Sequence, residues 1–85
     1  MTQGQIAEFY GVPQCDVSIA INAAGIKPIE KIGRTTHWDK GLVGEALCEL
    51  YRKREKHLTQ KATSWFYKAL DVNNRMIEEK YNAEH

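Results

Sequence analysis

Cysteine is nearly absent from this 85-residue chain: there are two, Cys15 and Cys48, with no CxxC pair and no histidine at ligand spacing. That excludes a disulfide scaffold and argues against a structural zinc; two isolated thiols fit a reducing compartment. No apolar run is long enough to span a bilayer and no signal peptide is evident, so the expectation is a soluble protein of the cytoplasm. There is no glycine-rich phosphate loop. His37, His57, Asp39 and Cys15 have no spacing that assembles a nucleophile, a base and an orienting group, so neither an enzyme nor a cofactor is expected. Strong charge is missing too. The net charge is only +1, which removes a general polyanion binder. The distribution says more than the sum: residues 27–68 carry ten Lys and Arg against five acids, and the segments on either side are mildly acidic. A basic middle of this kind fits a surface that faces DNA, and equally a solvated helix face. With 42% hydrophobic residues and two tryptophans, one small domain with a modest core is expected.

What is present begins at residue 2. TQGQIAEFYGVPQCDVSIAINAAG reads as two short helices joined by a tight turn. Thr2 with Gln5 has the capping-box form. Ile6, Ala7, Phe9 and Tyr10 follow, and Gly11 ends the helix by entering a left-handed turn without steric cost. Pro13 suits the first turn of the next helix, and Asp16 in that turn suits the helix dipole. At 100° per residue, Val17, Ala20, Ile21 and Ala24 share one face, while Cys15, Ser18, Ile19 and Asn22 share the opposite one. That second face is short, polar and nearly uncharged.

Gly25 and Pro28 stop this helix. In IKPIEKIGRTTHW the period becomes two: Ile26, Pro28, Glu30 and Ile32 lie on one side, and Lys27, Ile29 and Lys31 on the other. Gly33-Arg34 predicts a two-residue hairpin turn and Thr35–Trp38 the return strand, anchored on the helices by Trp38 and an isoleucine. Asp39 caps a third helix carrying Leu42, Val43, Ala46, Leu47, Leu50 and Tyr51 at helical spacing. Gly41 and Gly44 weaken its first turns. The polar run from Arg52 to His57 reads as a solvated face. A break is expected near residues 57–60 with Thr59 as the cap, one long bent helix being the alternative. Leu58, Ala62, Trp65, Ala69, Val72 and Met76 then follow a four-three spacing flanked by Phe66 and Ile77, and at about 1.5 Å per residue a helix that reaches Val72, Met76 and Ile77 is expected to overrun so small a core.

Ile6, Ala7, Tyr10, Gly11, Val12, Val17 and Ala20 resemble, in type and spacing, a DNA-binding helix-turn-helix. With the hairpin and the capped third helix in GRTTHWDKGLV, the order is similar to the winged helix-turn-helix of the MerR-like group, which includes phage excisionases and the DNA-binding ends of small terminase subunits. The resemblance to phage Cro-type repressors is weaker, since those place a further helix ahead of the motif. The fold expected is mainly α with a small β-hairpin: a winged helix-turn-helix over residues 1–57, and a C-terminal helix or helices over 58–85 that pack on the core or self-associate. By that resemblance Trp38 packs the wing on the core. The residue before this aromatic is often basic in the group; Thr36-His37 stand there here, so Arg34 at the tip is the better phosphate contact.

The function expected is sequence-specific binding of double-stranded DNA by a small phage-type regulator, a transcriptional repressor or an excisionase-like architectural factor, as a homodimer or cooperative assembly. The alternatives are a protein-interaction module on the same fold, or the DNA-recognition part of a packaging complex. The candidate contacts are Gln14, Cys15, Ser18, Ile19 and Asn22 on the second helix, and Lys27, Lys31, Arg34, Thr35, Thr36 and His37 on the wing. An asparagine amide matches the major-groove edge of adenine, serine accepts or donates, and isoleucine can press a thymine methyl. Lysine and arginine on the wing suit phosphates or the minor groove.

Overall fold

The first helix, α1 (Gln3–Tyr10), is closed at its start by the reciprocal cap. Thr2 Oγ1 accepts from the Gln5 N–H at 3.2 Å, and Gln5 Oε1 accepts from the Thr2 N–H at 3.0 Å. Gly11 takes φ +70°, and Val12 donates back to the Ala7 carbonyl at 2.9 Å as it turns inward. The computed structural model from which this geometry is taken describes residues 1–84, so His85, the last residue of the 58–85 segment, lies outside the described residues.

Pro13 stands one position earlier than expected. It is extended, with φ −64° and ψ 143°, and precedes α2 (Gln14–Ala24) rather than joining its first turn. Its carbonyl, not its ring, opens the helix, accepting from Asp16 at 3.1 Å and Val17 at 3.4 Å. Val17, Ala20 and Ile21 are buried as the periodicity requires. Ala24 is exposed instead of buried: it opens onto a shallow cleft between α2 and the third helix, beside Ala46, Glu49 and Leu50.

Strands β1 (Glu30–Ile32) and β2 (Thr35–His37) pair antiparallel, with Ile32 opposite Thr35, Lys31 opposite Thr36 and Glu30 opposite His37. Gly33-Arg34 is the turn, with φ +61° at the glycine. Ile29 extends the ladder by donating to the His37 carbonyl at 2.9 Å. The anchors are Trp38 and Ile26, both packed on the core; Ile29 and Ile32 are exposed. Trp38 is also tied to the start of the chain. Its N–H donates to the Met1 carbonyl at 2.7 Å, and the Met1 ammonium donates to the Trp38 carbonyl at 3.2 Å.

Asp39 caps α3 (Lys40–Lys53), accepting from Gly41 and Leu42 at 2.8 and 3.2 Å. The buried stripe of α3 is Val43, Gly44, Leu47, Cys48 and Tyr51. Leu42, expected in the core, is exposed. The stripe is rotated because Tyr10 lies across Gly44, and its hydroxyl donates to the Lys40 carbonyl at 2.8 Å. A single 3₁₀ turn over Glu55–His57 and an extended Leu58 separate α3 from α4 (Gln60–Glu84). Thr59 Oγ1 accepts from the Ala62 N–H at 3.1 Å, so the break and its cap fall where expected.

Phe66 and Ala69 of α4 belong to the same buried cluster as Ile6, Tyr10, Val17, Leu47 and Tyr51. The Phe66 ring lies 6.0 Å from that of Tyr51. Val72 and Met76 do not run past the core, as the helix length implied; both pack against it, and the Met76 sulfur sits 4.0 Å from the Tyr10 hydroxyl. Ile77 and Tyr81 beyond them are exposed. Among the described residues the architecture is four α-helices around one core with a two-stranded antiparallel hairpin on one side. Among the described residues, no helix is long and apolar enough to cross a membrane.

Candidate nucleic-acid interface

The inward grip of α2 on Val17, Ala20 and Ile21 turns its other face outward. Gln14, Ser18 and Asn22 follow at intervals of four, with Cys15 and Ile19 alongside, so all five lie on one side of the helix. From Gln14 to Asn22 the row extends about 12 Å at 1.5 Å per residue. Gln14, Cys15, Ile19 and Asn22 are exposed and Ser18 is half-buried. The row carries no charge.

Asp16 is the one acid on α2, and it does not reach this face. Its side chain points inward, 8% exposed, and Oδ2 accepts from the Tyr51 hydroxyl at 2.6 Å. The Cys15 thiol lies 3.9 Å from Oδ1. The sequence placed Asp16 correctly in the first turn but read it as a partner of the dipole alone. Its tyrosine is 35 residues away and leaves no local signal.

On the hairpin and the segment leading into it, Lys27, Lys31, Arg34 and Thr35 are exposed, while Thr36 and His37 are half-buried. Lys31 faces Thr36 across the ladder, and Arg34 occupies the turn. Among the described residues, Lys27, Lys31 and Arg34 enter neither side-chain ion pair, Arg52–Glu49 at 3.5 Å or Arg75–Asp71 at 3.1 Å. Lys40 is otherwise engaged, its ammonium 4.9 Å from the centre of the Phe9 ring. The structure therefore places five of the eleven candidates in a neutral helix row and five on a cationic hairpin, with Lys27 in the segment 25–29 that joins them.

Burial leaves the phenols beneath this surface neutral. Tyr10 and Tyr51 are both raised above the ordinary 10.0, first by burial. Nearby Cys48, Asp39 and Glu45 add to the effect at Tyr10, and the bond to Asp16 adds to it at Tyr51. Burial likewise raises the Cys48 thiol above its ordinary 9.0. Unfolded, these groups lose protons at their ordinary values; folded, they hold them to higher pH. Stability is therefore complete at neutral pH and falls as pH rises past 9 to 10 toward the raised values. Each tyrosine contributes a slope of about 1.4 kcal/mol per pH unit in that range. Urea midpoints from pH 8 to 12 should show this fall, and Tyr51→Phe should lower the slope above pH 10 by about that amount. A flat profile would contradict the burial of both hydroxyls.

No protein-family model, curated protein or solved structure matches this chain.

Proposed function

We propose that this chain is a winged helix-turn-helix of the MerR-like type that binds double-stranded DNA by sequence. In this reading α2 lies in the major groove and the hairpin of β1 and β2 is the wing. The observation that carries it is the outward face of α2. The helix is fixed to the core through four buried residues, its only acid among them, and it presents a neutral row of hydrogen-bonding and apolar groups to the outside. A surface helix serving solubility alone would carry charge on that side; a helix entering the major groove needs donors, acceptors and a methyl contact there. Lys27, Lys31 and Arg34 supply the phosphate contacts that position it. The settings this accommodates are a repressor or regulator, an excisionase-like architectural factor, or the DNA-recognition part of a packaging complex.

Selection of bound sequences from a random duplex pool, followed by anisotropy titrations, tests the proposal. Asn22→Ala should cost about 1–3 kcal/mol on the selected site and relax the preference at one position, while Arg34→Ala should weaken all duplexes alike. Three cationic contacts imply a salt dependence of about 2.7 log units per decade for each protomer. Absence of binding to any duplex at low salt would sink the reading.

Binding as a homodimer or cooperative assembly belongs to the same proposal. Ile77, exposed on α4 beyond the part used by the core, offers an apolar contact to a second copy. Sedimentation of the full chain beside Ile77→Glu separates the cases. A monomer at tens of micromolar that binds DNA without cooperativity would remove the dimer and leave the DNA reading intact.

A further inference from the structure

The hairpin exposes two isoleucines, and they stand in different surroundings. Ile29, at its base, lines a shallow groove with Met1, Trp38, Asp39 and Lys40. Ile32 is the last residue of β1 at the far end, 60% exposed, beside the Gly33-Arg34 turn and across from Thr35. It is absent from the residues packed against the core. A cross-strand pair with Thr35 gives the hairpin little that threonine at the same place would not give, since both are β-branched. Its flanks are cationic, Lys31 before it and Arg34 after it. No acid occurs from Lys31 to Trp38, although the chain as a whole holds 11. An apolar side chain carried at the tip between two cations suits a partner that is anionic outside and apolar within. Stacked base pairs between phosphate strands are such a partner, and a wing is slim enough to reach them from the minor groove.

Resting on the DNA-binding reading above, we infer that Ile32 is a wedge: it enters the minor groove at the wing tip and partly unstacks one base step, while Lys31 and Arg34 hold the phosphates on either side. The wing then recognises deformability as well as charge. Flexible pyrimidine–purine steps, which unstack most readily, are favoured beneath it. Specificity thus acquires a second element, offset along the duplex from the bases that α2 reads.

The experiment uses the full chain and a duplex selected as above, with 2-aminopurine placed at successive steps and bending measured by circular permutation. Wild-type protein should raise the fluorescence at one step only, on the flank of the α2 site, and kink the duplex by about 20–90°. Ile32→Thr keeps the strand and the charge; it should still bind the site but lose both the fluorescence rise and the bend. Arg34→Ala should weaken binding and retain the bend in whatever complex forms. Sequence-specific binding with flat fluorescence at every step, or an Ile32→Thr complex bent like wild type, overturns the wedge and leaves DNA recognition standing. Failure of the wild-type chain to bind any duplex overturns both.

Discussion

Gly44→Ala should be among the most damaging single-methyl additions to this chain, lowering stability by about 3 kcal/mol and the melting temperature by roughly 12–24 °C. Judged by helix propensity the change should help, since alanine is favoured over glycine by about 1 kcal/mol in a helix interior. The packing decides otherwise. A Cβ on Gly44 would collide with the Tyr10 hydroxyl and Cζ, and Cε1 lies only 2.9 Å away. Tyr10 has no free direction to move in. It is 1% exposed, its hydroxyl is bonded to the Lys40 carbonyl, and Met76 stands on it from α4. Overpacking commonly costs 1–3 kcal/mol, and displacing the ring would also break the hydrogen bond, about 1 kcal/mol more. Thermal melts of Gly44→Ala, Tyr10→Leu and the double variant test this. Leucine lacks the three colliding atoms, so the double variant should be more stable than the sum of the two losses predicts. Tyr10→Phe should not rescue, because phenylalanine keeps Cζ and Cε1. Strict additivity with Tyr10→Leu would mean that the ring and the glycine are not in contact.

Ending the chain at Thr59 should abolish cooperative folding. Residues 1–57 contain the three helices α1 to α3 and the hairpin of the proposed winged unit, yet their core is closed from outside that span. Phe66 is 7% exposed and Ala69 0%, and both belong to the cluster that includes Leu47 and Tyr51. Phe66→Ala alone should cost about 3–5 kcal/mol. For a domain of this size the whole folding free energy is about 4–13 kcal/mol, so loss of the entire helix exceeds what remains. Circular dichroism of the shortened chain should show helix without a sigmoidal melt. A sharp transition within a few degrees of the full chain would show instead that α4 is an accessory to a self-sufficient core.

The features legible beforehand are those whose cause lies within a few residues. Thr2 with Gln5, Gly11, the Gly33-Arg34 turn, Asp39 and Thr59 each act on backbone groups at most four positions away, so their sequence neighbours suffice to read them. The outward row of α2 was equally legible, because periodicity alone separates it from Val17, Ala20 and Ile21. What escaped depends on partners far along the chain. Leu42 was assigned to the core because helical spacing fixes the width of a stripe and leaves its rotation uncertain by a residue. Tyr10, 34 residues before Gly44, sets that rotation. Val72 and Met76 were taken to overrun the core because their partner, Tyr10, stands 66 residues before Met76. Asp16 turned inward toward Tyr51 for the same reason. Ile26 rather than Ile29 or Ile32 anchors the hairpin, a choice that alternation within the strand does not make.

The inward turn of Asp16 divides the labour on α2. What holds the helix in place lies mainly on its concealed side: of Gln14, Cys15, Ser18, Ile19 and Asn22, only Cys15 donates a side-chain hydrogen bond, its thiol 3.9 Å from Asp16 Oδ1. Gln14, Ser18, Ile19 and Asn22 can therefore vary almost independently of folding. Under the proposed DNA reading, a lineage, or a library built at Gln14, Ser18 and Asn22, can explore new target sites with little loss of stability. Changes that remove Asp16 or Val17 from the concealed side would be filtered out by misfolding before any change of target could be seen.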